Sequence, residues 1–207
     1  MSPASHPLDP DTDRAFRDVL GRFASGVTVV TTVDDGIDHA MTASAFCSVS
    51  LDPALVLVVV DRRNRFHDAV LASGTWGVSI LAEDGQDDAS WLAHRGRRLE
   101  DQLARVPHRR GEATGAALLE RAIGWLECRT WQTYDGGDHT IVVGEVQTAS
   151  VRPDADAVTL SGPDGVPGFS ESRLGEPLLY YRSHYGALVR SPESEKNSGP
   201  SPVEQQR

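Results

Sequence analysis

The spacing of apolar residues changes period several times along the first half of the chain. Phe16, Leu20 and Phe23 recur at helical intervals behind a polar start. Asp11 or Thr12 can cap this helix and Gly26 suits its exit. From Val27 to Val33 the residues become β-branched, which predicts a strand, and Asp34-Asp35-Gly36 marks a turn. A second strand is predicted over Ala40 to Ser50. Leu55 to Val60 is apolar at every position and reads as a strand buried on both faces. Asn64 can cap a short helix from Arg65 to Ala72, which Gly74 ends. Trp76 to Leu81 predicts another strand, and Gln86 to His94 another helix.

The second half reads more clearly as β. Gly124 to Thr133 and His139 to Val151 form two long strands, and Tyr134-Asp135-Gly136-Gly137-Asp138 between them is a hairpin signal. Leu178 to Leu188 is the last strand. Pro153 to Pro177, rich in Gly, Pro and Ser, is expected to be a surface loop. Residues 1–10 and Ser191 to Arg207 are too polar to bury anything and are expected to be a disordered lead and tail. One domain over 11–190 remains. It is mainly β with helices outside the strands, and an antiparallel barrel or sandwich is the natural architecture.

Composition narrows the function classes. With 207 residues, 39% apolar and 24% charged, the chain has an ordinary globular make-up. A net charge of −10 argues against a nucleic-acid partner, which would need a basic face. Cys47 and Cys128 give neither a disulfide framework nor a metal-ligand spacing, so a reduced, cytoplasmic setting without metal is expected. The polar N-terminus is not a secretory signal. The longest apolar run, Ala54 to Val60, is too short to span a membrane. Glycine-rich dinucleotide or phosphate loops, the G-x-S-x-G elbow and H-E-x-x-H are all missing, which disfavours Rossmann, P-loop, hydrolase and zincin chemistry.

Four constellations remain. Asp38 to Ser50 is full of small residues and hydroxyls, among them Thr42, Ser44, Ser48 and Ser50. Small residues let backbone amides approach a flat ring, and hydroxyls offer donors to its polar edge. Asp61-Arg62-Arg63-Asn64-Arg65-Phe66 opens a helix after a strand, a reasonable phosphate site. In Gly136-Gly137-Asp138-His139-Thr140, Asp138 can orient His139 toward a ligand. In Leu178 to Tyr185, aromatic rings, Arg182 and His184 share one strand. Each also fits ordinary structure: a polar strand face, a solvated turn, a satisfied histidine, rings packed on a barrel. Arg95 to Arg110 carries six arginines, which reach phosphates or an acidic partner, or simply face solvent.

The order of these segments closely resembles the flavin reductase family. The resemblance runs through Phe23-Ala-Ser-Gly-Val-Thr-Val-Val-Thr-Thr32, Met41-Thr-Ala-Ser-Ala-Phe-Cys-Ser-Val-Ser-Leu-Asp-Pro53, Trp125-Leu-Glu-Cys-Arg129, Gly137-Asp-His-Thr140, Val143-Gly-Glu-Val146 and Leu178-Leu-Tyr-Tyr-Arg182. It covers about Phe16 to Leu188. It implies a Greek-key split β-barrel with peripheral helices, a homodimer, and hydride transfer from NADH or NADPH to FMN or FAD. It further implies that reduced flavin leaves for a partner flavin-dependent monooxygenase. Matching positions would make flavin contacts of Asp38, His39, Ala40, Met41, Thr42, Ser44 and Ala45. Val59, Val60, Asp61, Arg65 and Phe66 would follow, with Trp91 and Leu92. Tyr181, Arg182, Ser183 and His184 match the strand that holds the nicotinamide nucleotide in some members, and His139 a histidine near the hydride-transfer face. Two other readings stay open: an oxidase with tightly bound FMN on the same barrel, and a flavin-binding protein without catalysis.

Overall fold

In a computed structural model, residues 9–153 and 175–188 are described. The chain opens with helix α1 (Pro10–Leu20), then β1 (Ser25–Gly26), β2 (Thr28–Asp34), β3 (Ile37–Ala43), β4 (Phe46–Leu51) and β5 (Ala54–Asp61). Helix α2 (Arg65–Ser73), β6 (Thr75–Leu81), a 3-10 turn (Glu83–Gly85) and α3 (Gln86–Ala93) follow. Then come β7 (His108–Arg110), β8 (Ala117–Leu119), β9 (Ala122–Gly136), β10 (His139–Val151), β11 (Leu178–Tyr181) and β12 (His184–Ala187).

The main sheet has seven strands in the order β3-β2-β6-β9-β10-β5-β4. Every neighbouring pair is antiparallel. Its two edge strands, β3 and β4, are consecutive in the chain and joined only by Ser44 and Ala45. Three Cα steps reach at most about 11 Å. The edges must therefore meet, and the sheet must roll up on itself. The Val59 amide donates to the Ala45 carbonyl at 3.0 Å and helps close that corner. This is the split barrel expected from the resemblance.

The interior is filled by Val30, Met41, Val58, Val60, Phe66, Trp76 and their neighbours. A second cluster lies on the outer face of β2 and β3, where Val29 and Ala40 pack on Ala89 and Leu92 of α3. Strand β2 is thus covered on both sides, and Thr28 to Thr32 are all buried. Its threonines tolerate burial because their hydroxyls have acceptors: Thr28 donates to the Ala43 carbonyl, Thr31 to Ala117 and Thr32 to Thr75, at 2.6–2.8 Å.

Several sequence expectations need correction. Strand β5, apolar from Ala54 to Val60, fully buries only alternate residues; Val56, Val58 and Val60 point inward. Hydrophobicity alone therefore misplaced two-sided burial, which falls on the threonine-bearing β2. The expected strand over Ala40 to Ser50 breaks at Ser44 and Ala45, where the barrel turns its corner. The expected last strand, Leu178 to Leu188, is a hairpin, with Arg182 and Ser183 at φ 49° and 64° in its turn. Positive φ at both central residues gives a turn whose twist suits a two-residue hairpin. Helix α1 starts earlier than expected: Asp9 caps it, accepting from the Asp11 and Thr12 amides, with Pro10 in the first turn. Gly21 rather than Gly26 ends it. The stripe of Phe16, Leu20 and Phe23 does not face the core; these residues are 52%, 55% and 79% exposed.

Other expectations hold. Asn64 caps α2, its side-chain oxygen accepting from the Phe66 amide at 3.0 Å, and Gly74 ends the helix at φ 66°. The long hairpin β9–β10 turns at Gly137-Asp138. Residues 1–8, 154–174 and 189–207 lie outside the described residues, and with them most of the expected lead and loop, the last two residues of the expected domain and all of the expected tail. No helix among the described residues is long and apolar enough to cross a membrane.

Candidate functional site

A cavity of about 320 Å³ opens beside the edge strand β3. Its first wall is His39 to Thr42 of β3, and its second is Arg63 to Phe66, where β5 gives way to α2. The third is the end of α3 and the segment after it, through Gly96 and Arg97 to Gln102. The placement follows from local structure. β3 is an edge, so one side of its backbone is unpaired by strands, and the Asn64 cap aims the start of α2 at that edge.

The third wall is tied to the first by side chains that take the place of a neighbouring strand. Gln102, 1% exposed, accepts from the Ala40 amide at 3.3 Å and donates to the Asp38 carbonyl. Arg97 donates to the Ala40 carbonyl at 2.7 Å and to the Trp91 and His94 carbonyls at the end of α3. Thr42 donates to the Ala89 carbonyl at 2.7 Å, fixing α3 on the same strand. Thr42's hydroxyl and the Ala40 amide thus hold this wall rather than stand free for a ligand.

The charges sort themselves clearly. Arg62 pairs with Asp135 at 3.0 Å, and both Arg63 and Arg95 pair with Asp61, at 3.0 and 3.3 Å. The hydrogen bond from Arg63 holds the Asp61 carboxyl well below the usual carboxylate range. Within the arginine-rich segment, Arg98 lies 3.6 Å from Asp101, and Arg110 bonds Asp38 at 2.7 Å. Arg105 stacks over the Trp91 ring at 3.5 Å, and Arg109 lies 5.0 Å from the Trp125 ring. Arg97 and Arg65 differ: Arg97 bonds carbonyl oxygens and Gln102, and Arg65 donates only to the Arg97 carbonyl, at 2.7 Å. Burial, with Arg65 nearby, pushes the Arg97 pKa down.

Two buried polar atoms on these walls lack hydrogen-bond partners: Nδ1 of His39 and Nε of Arg97. Burial lowers the His39 pKa, which keeps the ring neutral near pH 7. A cavity with a strand edge, a neutral imidazole and two guanidiniums without a carboxylate suits a ligand with a polar ring and a phosphoryl group. The residues present therefore fit a flavin nucleotide.

The expected site residues divide. His39, Ala40, Met41, Thr42, Arg65, Phe66 and Leu92 line this cavity. Ser44, Ala45, Val59, Val60, Asp61 and Trp91 do not, although Asp61 holds two of its rim arginines. Trp91 lines a wider, more open depression across α3, and Asp38 a third one beside Arg110. His139 bonds Asp138 at 2.6 Å, as expected, and sits opposite Asp61 in the β5–β10 register, outside the cavity lining. Tyr181 to His184 occupy the β11–β12 hairpin, where the Arg182 amide bonds the Gly21 carbonyl at the end of α1. Leu99 and Gln102 were missed as cavity residues, and Arg97 was anticipated only as one of six arginines in the segment from Arg95 to Arg110. A segment without apolar periodicity gives no hint that its polar side chains cap a strand edge.

Fold and site together define a small antiparallel barrel with a basic nucleotide-type cavity at its edge strand. A family model for the flavin reductase like domain matches residues 20–189, and the chain belongs to that family. It is 40% identical over 164 residues to the NADH-dependent FAD reductase of Streptomyces globisporus, covering 78% of this chain and 89% of that one. It is 44% identical over 151 residues to an NADH-dependent flavin reductase of a Rhodococcus species, covering 71% and 82%. Among solved structures it matches BorF, the flavin reductase component of a bacterial two-component tryptophan halogenase. That match has 38% identity, a TM-score of 0.72, and covers 86% of this chain and 99% of the other. SgcE6, an NADH:FAD oxidoreductase of Streptomyces globisporus solved with NAD and FAD fragments, matches at 33% identity and TM-score 0.73 over 91% and 99%.

Proposed function

We propose that the protein is an NAD(P)H:flavin oxidoreductase that passes a hydride from NADH or NADPH to FMN or FAD and releases reduced flavin to a flavin-dependent monooxygenase. The carrying observation is the cavity at the β3 edge, with its two guanidiniums free of carboxylates and its unpartnered His39 nitrogen. Three of the four relatives named above are NADH-dependent by name, which favours NADH as the donor here. A bound flavin would supply the hydride-accepting ring, and the nicotinamide the hydride. The protein's own contribution is positioning and electrostatics. The His39–Thr42 backbone forms a flat wall, and Phe66 and Leu92 exclude water. His39, its pKa lowered by burial, lines the cavity, and Arg65 offers charge to a phosphate. His139, oriented by Asp138, and Tyr181 to His184 would serve the nicotinamide side.

A homodimer fits the apolar residues left uncovered in one chain. Besides Phe16, Leu20 and Phe23, Val19, Leu51 and Trp131 are 66%, 90% and 54% exposed. Single exposed apolar residues are ordinary, but this many large ones on one small chain suit an interface. A cytoplasmic setting fits the free thiols Cys47 and Cys128. The test is NAD(P)H oxidation by the purified protein with FMN, FAD or riboflavin added in turn. Oxidation that depends on added flavin supports the proposal. A yellow protein that fails to oxidise NAD(P)H overturns it in favour of an oxidase with resident FMN, and an inert colourless one overturns it altogether.

A further inference from the structure

The rim segment between β5 and α2 faces two ways. Arg63 to Phe66 line the cavity, whereas the residues on either side of them, Arg62 and His67, turn to the β9–β10 hairpin. Arg62 holds the hairpin tip at three points. Its amide donates to the Asp138 carbonyl at 3.1 Å, its Nε to the His139 carbonyl at 3.3 Å and its Nη2 to the Asp135 carboxylate at 3.0 Å. The same Asp135 oxygen accepts from the Gly137 amide at 2.9 Å, which joins the turn to the clamp. His67 holds the far end of the tip. The Asp68 carboxylate accepts from Nδ1 of His67 at 2.7 Å, so in the neutral ring Nε2 accepts from the Thr140 hydroxyl at 2.9 Å. Asp138-His139-Thr140 is thereby fastened at both ends to the segment that forms the cavity wall.

The strand register shows what this fastening controls. Val60 points into the barrel, and so does its partner Thr140, which is 7% exposed. Asp61 and its partner His139 therefore share the opposite face. Residues directly opposed in an antiparallel pair stand about 4.5–5.5 Å apart at Cβ. Asp61 in turn bonds Arg63 and Arg95, both of which line the cavity. His139 thus sits one side chain away from the rim. It is also the last residue of the β5–β10 register, and past it Arg62 supplies the bonds from the β5 side. The side chains of Arg62 and Asp135 are 45% and 50% exposed, and a salt bridge in that setting adds little stability. What three donors from one residue do fix is the position of the tip. Resting on the reductase reading above, we propose that Arg62, assisted by His67, is a positioning residue for hydride transfer: it sets His139 at the rim of the flavin cavity. Arg62 does not touch the ligand and acts through His139.

The test is a double-mutant cycle on the hydride step. The full chain, in excess over FMN, is mixed anaerobically with NADH, and the bleaching of the flavin gives the rate of a single transfer. The wild type, Arg62→Met, His139→Ala and the double variant are compared, with melting temperature and FMN affinity measured for each. Arg62→Met should slow the transfer about ten- to a hundredfold, as a misplacement of up to about 1 Å allows, while melting temperature and FMN affinity stay near the wild-type values. In the His139→Ala background the same substitution should have no further effect, because the group it acts through is gone. Arg62→Lys, which can still reach Asp135, should recover part of the rate. Arg98→Met, which removes another exposed arginine–carboxylate pair, should match the wild type. His67→Leu should slow the transfer in the same His139-dependent way; if that variant does not fold, Arg62→Met decides alone. No slowing by Arg62→Met, or equal slowing with and without the His139 imidazole, overturns the inference and leaves the reductase reading intact. Melting temperature and FMN affinity that fall in step with the rate make Arg62 a structural residue and overturn it too. A wild type that transfers no hydride overturns both.

Discussion

Replacing Gln102 with Leu tests how the cavity wall is built. The two side chains are similar in size, so packing volume changes little and no large void opens. What is lost is polar. The Ala40 amide loses its acceptor at 3.3 Å, and the Asp38 carbonyl loses the Gln102 donor. Gln102 is 1% exposed and Ala40 4%, so water reaches the amide poorly. An unmet buried group costs about 1–3 kcal/mol. The Asp38 carbonyl, on a half-buried residue, is more easily rehydrated and costs less. The sum is about 2–3 kcal/mol, or a fall in melting temperature of about 4–12 °C for a chain of this size. Differential scanning fluorimetry and urea titration measure it, with flavin titration in parallel. Flavin affinity should fall as well, because Arg97 and the third wall are held to β3 partly through Gln102. A loss below about 0.5 kcal/mol with unchanged flavin affinity would refute the idea that this carboxamide stands in for a neighbouring strand.

Three further outcomes are expected. Gly144→Ala places a methyl group in the Trp76 ring and 3.0 Å from Cβ of Cys128, so it should cost about 1–3 kcal/mol in chemical denaturation. Glu127 is buried, which raises its pKa, but bonds from Thr114, Thr148 and Ala113 outweigh this and leave it below the ordinary value of 4.5. A depressed carboxyl stabilises the fold above that value and the benefit fades as pH falls through and below it. The gap in denaturation midpoint between wild type and Glu127→Gln should therefore be wide at pH 7 and narrow in acid; a constant gap would contradict this. Phe16→Asp with Phe23→Asp should convert a dimer to a monomer by light scattering, and a persistent dimer would place the interface elsewhere.

The local architecture was legible wherever one residue controls the backbone. Asn64 and Gly74 bounded α2, and Gly137-Asp138 marked the long hairpin, because caps and tight turns depend on nearby atoms. Burial was less legible. Thr28, Thr31 and Thr32 look half-polar in sequence, yet each hydroxyl finds a distant carbonyl. The site was partly legible: His39 to Thr42 and Arg65-Phe66 stand together, as expected from small residues and a helix start. Arg97 and Gln102 were not, since their role depends on β3 being an edge, a property of the sheet order rather than of any segment. Nor could spacing show which arginines already had carboxylates.

Anaerobic mixing of NADH with a large excess of FMN or FAD over protein tests the central claim most directly. The visible absorbance of oxidised flavin should bleach through many turnovers per protein, with one flavin reduced for each NADH consumed. Bleaching that stops after one flavin per protein, or no bleaching at all, would contradict it.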